Sequence, residues 1–111
     1  KAGKLKALAV TSAKPSPALP GVPTVAAAAN LPSYEASSWF GLLAPAGTSP
    51  EIIHRIQQEV AKSLSTPAVR ERMMAQGADP IGNTPDQFAA LIRAEHIKWA
   101  KVVKDSGAKV D

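Results

Sequence analysis

Three features of this chain point to an α/β fold. Leu5–Val10 is a short apolar run bounded by polar residues, the pattern of a buried strand. A second run spans residues 34–44 and carries Trp39, Phe40, Leu42 and Leu43, with the aromatic content that strands favour. It breaks at Pro45-Ala46-Gly47 and restarts at Thr48-Ser49-Pro50-Glu51, a helix start. Similar starts recur at Thr66-Pro67 and Thr84-Pro85. Strands that pass through tight turns into capped helices are the repeating step of α/β chains.

After the first strand, Pro15, Pro17, Pro20 and Pro23 forbid a continuous helix and predict an extended connector. Thr24 is placed to cap a short helix running to Asn30, through four alanines of high helix propensity. Past the second strand, either Thr48 with Glu51 forms a capping box or Ser49 caps with Pro50 at the first helical position. That helix is expected to reach about Leu64, with Ile52, Ile53, Ile56, Val60 and Leu64 on one face. Thr66-Pro67 starts a helix that turns Val69 and Met73 inward and ends at Gly77.

Residues 78–82 are expected to form a short strand crossing back to the sheet. Thr84-Pro85-Asp86-Gln87 repeats the capping-box logic. From Phe88 onward Leu91, Ile92, Trp99, Val102 and Val103 recur at helical spacing until Gly107. A helix from Pro85 to Ser106 is about 33 Å long at 1.5 Å per residue, enough to lie across a whole lobe. Trp99 belongs to that stripe and is expected in the core. The last residues, 108–111, either extend briefly or fray.

Five of these segments, in this order, resemble one family. They are Gly3-Lys4-Leu5-Lys6-Ala7-Leu8-Ala9-Val10-Thr11-Ser12, the Val22-Pro23-Thr24-Val25 segment, the turn Trp39 to Thr48, the link Gly77 to Pro80, and Thr84-Pro85-Asp86-Gln87-Phe88 with Trp99 in the helix that follows. Together they look like the C-terminal part of the Bug-type solute-binding proteins of tripartite tricarboxylate transporters. Two departures stand out. Residues 26–30 read Ala-Ala-Ala-Ala-Asn, with no acid where the family usually has Ala-Glu-Ala, and Ser33 stands where a glycine is common.

The resemblance implies a fragment of a type II periplasmic-binding-protein fold, mostly one lobe. Residues 1–23 would supply a strand and the Pro-rich inter-lobe connector, and residues 24–111 the C-terminal α/β portion of one lobe. It implies a periplasmic parent that captures a small carboxylate between two lobes and delivers it to membrane permease subunits, with no cofactor. The family's better-known ligand loops lie mostly upstream of the segment it covers.

Composition bounds these expectations. A chain of 111 residues is large enough for one core but too small for two lobes and a cleft, and it is in a strand pattern by Leu5 with no export signal ahead. It therefore reads as part of a longer protein, for which self-association of the isolated piece is expected. Cysteine is absent, so disulfides and thiolate metal sites are excluded. The net charge of +4 raises a second reading, an independent basic module that binds nucleic acid or a protein partner. Against nucleic acid, only Lys1, Lys4 and Lys6 cluster. The other cations interleave with acids at helical spacing, as Glu51 with Arg55 and Glu95 with Lys98.

No catalytic constellation is present. Thr11, Ser12, Ser37, Ser38 and Thr48 lack a nucleophile elbow or a Ser-x-x-Lys motif, and Gly41 and Gly47 do not make a nucleotide loop. His54 and His96 lack metal-ligand spacing, and neither is assigned a role. The expectation is no enzyme activity and no metal.

What remains is the polar residues at strand ends, where open α/β sheets collect ligands. Thr11 and Ser12 close the first strand; Thr48 and Ser49 follow the second at a helix N-terminus, whose orphan N–H groups suit an anion. Trp39 either stacks on a ligand or fills core, and alternation along its strand favours core. Thr48 and Ser49 likewise have two readings, capping alone or ligand contact. Thr11, Ser12, Trp39, Thr48 and Ser49 are the candidate ligand-binding residues.

Overall fold

The computed structural model describes residues 3–109. It contains four helices: α1 (Val25–Ala28), α2 (Pro50–Ser65), α3 (Pro67–Ala75) and α4 (Pro85–Ser106). The helix starts and stops follow the capping signals. Thr24 caps α1 by accepting the Ala27 N–H. α3 begins at Pro67, with Thr66 O accepting the Val69 and Arg70 N–H groups, and Gly77 takes φ +77° just past its end.

α4 has the full reciprocal cap. Thr84 Oγ1 accepts the Gln87 N–H at 3.3 Å, and the Gln87 side chain accepts the Thr84 N–H at 2.9 Å. At its other end Gly107 takes φ +67°, the left-handed conformation that stops the helix without a Cβ clash.

The strand expectations need correction. Residues 5–9, 34–44 and 78–82 form no ladder; among the described residues the strand pairing is one isolated parallel bridge, Val10↔Thr24. The chain is helical with little strand. The physical reason is that a strand requires a partner for its N–H and C=O groups, and these runs find few here.

One point in the chain does have partners on both sides. Val10 N–H donates to Pro23 O at 2.9 Å, and Val25 N–H donates to Val10 O at 2.8 Å. The next residue faces the other way: Thr11 O accepts the Ala36 N–H at 2.9 Å. Successive residues of an extended segment direct their hydrogen bonds to opposite sides, so Val10-Thr11 sits between the 23–25 segment and Ala36.

The chain divides into two compact units. One comprises Lys1–Leu43 and Glu71–Asp79, the other Ala44–Arg70 and Pro80–Asp111, with one of the three boundaries inside α3. In the first, the Val10-Thr11 junction is the organising feature, and Thr24, 7% exposed, is the one buried residue among those described.

In the second, α2 packs on α4. Ile53, Gln57, Val60, Ala61 and Leu64 are the half-buried positions of α2. Ile52 and Ile56, expected on the same stripe, are exposed. Gln57 Nε2 donates to Gly82 O at 3.3 Å and lies 3.4 Å from Asn83 O, tying α2 to the turn before α4.

No apolar side chain among the described residues is buried. Trp39 and Trp99, both expected in a core, are 42% and 41% exposed, and Phe40 is 94% exposed. The stripes are present in the sequence, but the layers that would cover them are not supplied by the described residues. No helix is long and apolar enough to cross a membrane.

Candidate functional site

The five candidate residues fall in both units: Thr11, Ser12 and Trp39 in the first, Thr48 and Ser49 in the second. In the first unit, the Thr11 carbonyl is committed to Ala36, and Ser12 Oγ donates to Lys14 O at 2.7 Å, closing a local turn. The Ser12 proton is therefore engaged within the chain, and the oxygen keeps its accepting capacity. Trp39 follows Ala36 by three residues and presents an exposed indole.

In the second unit, the turn after residue 44 assigns Thr48 and Ser49 separate duties. Gly47 takes φ +84°, which lets the chain bend back so that the Thr48 N–H donates to Pro45 O at 3.2 Å. Thr48 Oγ1 donates to the same carbonyl at 2.8 Å. Ser49, with extended φ −63° and ψ 144°, is the N-cap of α2, and its Oγ accepts the Ile52 N–H at 3.5 Å. Of the two capping arrangements open to the sequence, the structure has the one with Ser49 as cap and Pro50 at the first helical position.

This arrangement has consequences for anion binding. A carboxylate needs donors. The Thr48 hydroxyl proton is occupied by Pro45 O, whereas Ser49, which accepts at the cap, keeps its own O–H as a donor. Glu51 already lies in the first turn of α2, so that the positive end of the helix dipole faces a protein carboxylate.

Elsewhere the chemistry is structural. His54 Nε2 lies 3.1 Å from Gln58 Nε2 on the exposed face of α2. Among the described residues no group of His, Cys, Asp and Glu is assembled that could hold a metal ion. Of the two expected helix-face ion pairs, Glu95–Lys98 is present at 2.6 Å, while Arg55 pairs with Glu59 at 3.3 Å instead of Glu51.

Two polar contacts with organising roles escaped the sequence reading, that of Gln57 with the turn before α4 and that of Glu95 with Trp99. Gln57 sits between Ile53 and Ala61 at helical spacing, so its inward position was encoded in the stripe. Glu95 accepts from Lys98 and, at 2.7 Å, from the Trp99 indole; its spacing of four from Trp99 was the available signal.

Comparison with known proteins places this chain. Residues 1–108 match the family described as tripartite tricarboxylate transporter family receptor. Protein BugT of Bordetella pertussis is 42% identical over 110 residues, which cover 99% of this chain and 33% of BugT. A UPF0065 protein from the clcB-clcD intergenic region of Pseudomonas knackmussii is 37% identical over 103 residues, covering 93% of this chain and 61% of that protein.

Among solved structures, that of R. palustris Rpa4515 with adipate is similar with a TM-score of 0.76 and 39% identity, covering 90% of this chain and 33% of that one. The chain thus spans about a third of the length of BugT and of the solved structure. With a family match over nearly its whole length, the chain belongs to the tripartite tricarboxylate transporter receptor family, alongside the Bug proteins.

Proposed function

We propose that this chain is the C-terminal part of a periplasmic solute-binding receptor that captures a small carboxylate and delivers it to the permease subunits of a tripartite tricarboxylate transporter. The observation that carries this reading is the likeness, at 39% identity, to a structure described as containing adipate. Capture needs no bond making or breaking. It requires only that the closed form bind the ligand more tightly than the open form, so the receptor is not an enzyme.

In this reading the parent has a two-lobed type II periplasmic-binding-protein fold. Residues 1–23 contribute a strand and the Pro-rich connector between lobes, and residues 24–111 contribute the C-terminal α/β portion of one lobe. Thr11, Ser12, Trp39, Thr48 and Ser49 are the positions of this segment offered to the ligand. Support for Ser49 is its spare hydroxyl proton at the start of α2.

The test is calorimetric titration of the full-length parent with adipate, citrate and glutamate. Saturable heat with at least one of them is expected, and heat with none refutes the reading. The isolated chain, lacking most of the cleft, is expected to give no heat; micromolar binding by this chain alone would refute the two-lobe arrangement.

A further inference from the structure

The outward face of α4 carries cations that the helix does not neutralise. Half-buried Phe88, Leu91, Glu95 and Lys98 mark the packed side of this helix. On the side opposite, Arg93, Ile97, Ala100 and Lys104 recur at steps of four, three and four, with Lys101 at their edge. All five are exposed, and Ile97, in the middle of the strip, is 71% exposed. From Arg93 to Lys104 the strip is about 17 Å long.

The acids of α4 are engaged elsewhere: Glu95 takes Lys98, and Asp105 takes Lys101. Among the described residues Arg93 and Lys104 have no ion-pair partner. Asp86 and Lys104 suit the two ends of the helix dipole. Arg93, two turns in from the start, has neither that role nor a partner. Unpaired cations are costly to bury without acids opposite them. This face is therefore directed to solvent or to an acidic surface, and not to an apolar interior.

An acidic protein surface fits the strip. Carboxylates spaced along it would meet Lys104 and Arg93, whose guanidinium takes a carboxylate through two parallel N–H donors, and a shallow apolar pocket between them would take Ile97. A helix that lies in a lipid surface presents a broad apolar side with Trp, Phe or Leu. This strip offers one isoleucine and no aromatic residue.

We propose that Arg93, Ile97, Lys101 and Lys104 form a docking surface for an acidic protein partner, and that this partner is the periplasmic face of the permease. The choice of the permease rests on the receptor reading above; the acidic character of the partner rests on the strip itself.

The test uses the full-length parent and its permease in phosphatidylcholine nanodiscs, with binding followed by interferometry at low and high salt. The wild type is expected to bind, with affinity falling as salt rises. Arg93→Glu with Lys104→Glu should weaken binding by about ten-fold or more, largely through slower association. Arg55→Glu with Lys62→Glu, an equal change of net charge at exposed positions of α2, should weaken it by less than about three-fold. Ile97→Lys separates contact from attraction, since a docking surface loses affinity while a merely attractive field gains it. Every substituted position is exposed, so helical circular dichroism should stay that of the wild type.

Calorimetry with adipate, citrate and glutamate checks capture separately, and the variants should keep the heat of the wild type. Absence of permease binding, equal weakening by the two double variants, or unchanged or tighter binding by Ile97→Lys would each overturn the proposal while capture stands. Binding to permease-free phosphatidylglycerol nanodiscs that is lost with Arg93 and Lys104 would overturn it in favour of a lipid surface. Heat with none of the carboxylates refutes the capture reading instead, and the comparison of variants on the permease still decides the face.

Discussion

Glu95 holds Trp99 across one turn of α4: the indole Nε1–H donates to Glu95 Oε2 at 2.7 Å, while Oε1 takes the Lys98 ammonium at 2.6 Å. The carboxylate is thereby engaged on both oxygens, and the Lys98 ammonium lies 5.4 Å from the Trp99 ring centre. The tryptophan read from sequence as core filler is instead half of a polar clasp on a partly open helix face.

Substitution at this clasp separates the two roles. Trp99→Phe keeps most of the ring and removes the indole donor, and it should cost about 0.5–1.5 kcal/mol. Trp99→Ala in the free chain should cost well under the roughly 3–5 kcal/mol of a buried aromatic deletion. Thermal unfolding followed by the helical signal measures both; a full core-sized loss for Trp99→Ala would show that the ring is buried in solution.

The turn before α2 offers a second dissection. Ser49→Ala removes the cap oxygen and is expected to lower stability by about 0.5–2 kcal/mol. Thr48→Ala removes only the bond to Pro45 O and should cost less, about 0.5–1 kcal/mol. In the full-length parent, titration of both variants well below their melting temperatures reads out ligand contact: a Ser49→Ala loss of affinity larger than that of Thr48→Ala is the expected signature of the spare hydroxyl proton.

Gly82 and Gly107 both take positive φ, +63° and +67°, but only Gly82 is also crowded. A Cβ on Gly82 would lie 3.3 Å from Ala61 Cα and 3.6 Å from Leu64 Cδ1, against α2. Gly107→Ala therefore carries the conformational penalty alone, about 1 kcal/mol, and Gly82→Ala that penalty plus displacement of α2, about 2–3 kcal/mol. Chemical denaturation of the two variants ranks them, and an inverted order would contradict the α2–turn packing.

Gln57 links α2 to the same turn through two carbonyls. Gln57→Glu replaces a donor with a carboxylate facing Gly82 O and Asn83 O, so it should destabilise more than Gln57→Ala, by about 1–2 kcal/mol. The comparison of melting temperatures at neutral pH decides; equal effects would mean that the amide donates to water instead.

How far the sequence carried the structure depends on whether a signal was local. Caps and stops are satisfied within a few residues, which is why Thr24, Ser49, Thr84 and Gly107 act in the structure as their residue types and positions indicate. Strand pairing is non-local. Leu5–Val10 and residues 34–44 have strand composition, but composition does not supply the neighbours that make a ladder; among the described residues the pairing is limited to the Val10–Thr24 bridge and the Ala36–Thr11 hydrogen bond. The same distinction applies to the candidate site. Thr48 and Ser49 could be ranked by their own hydrogen bonds, whereas the exposure of Trp39 is a matter of the surrounding chain.

The hydrogen bonds that tether Val10 to Pro23 and Val25 have a topological corollary. They close the ends of the intervening stretch, residues 11–22, so that its length is decoupled from the junction it leaves and rejoins. Loop-closure entropy rises only by about 0.6 kcal/mol for each doubling of length, and this stretch is exposed apart from Ser12, Ser16 and Val22. Its exposed positions beyond Thr11 and Ser12 are accordingly where insertions, tags or a reporter domain can be accommodated, with the Val10–Thr24 register and the Thr11–Ala36 hydrogen bond left intact beneath them.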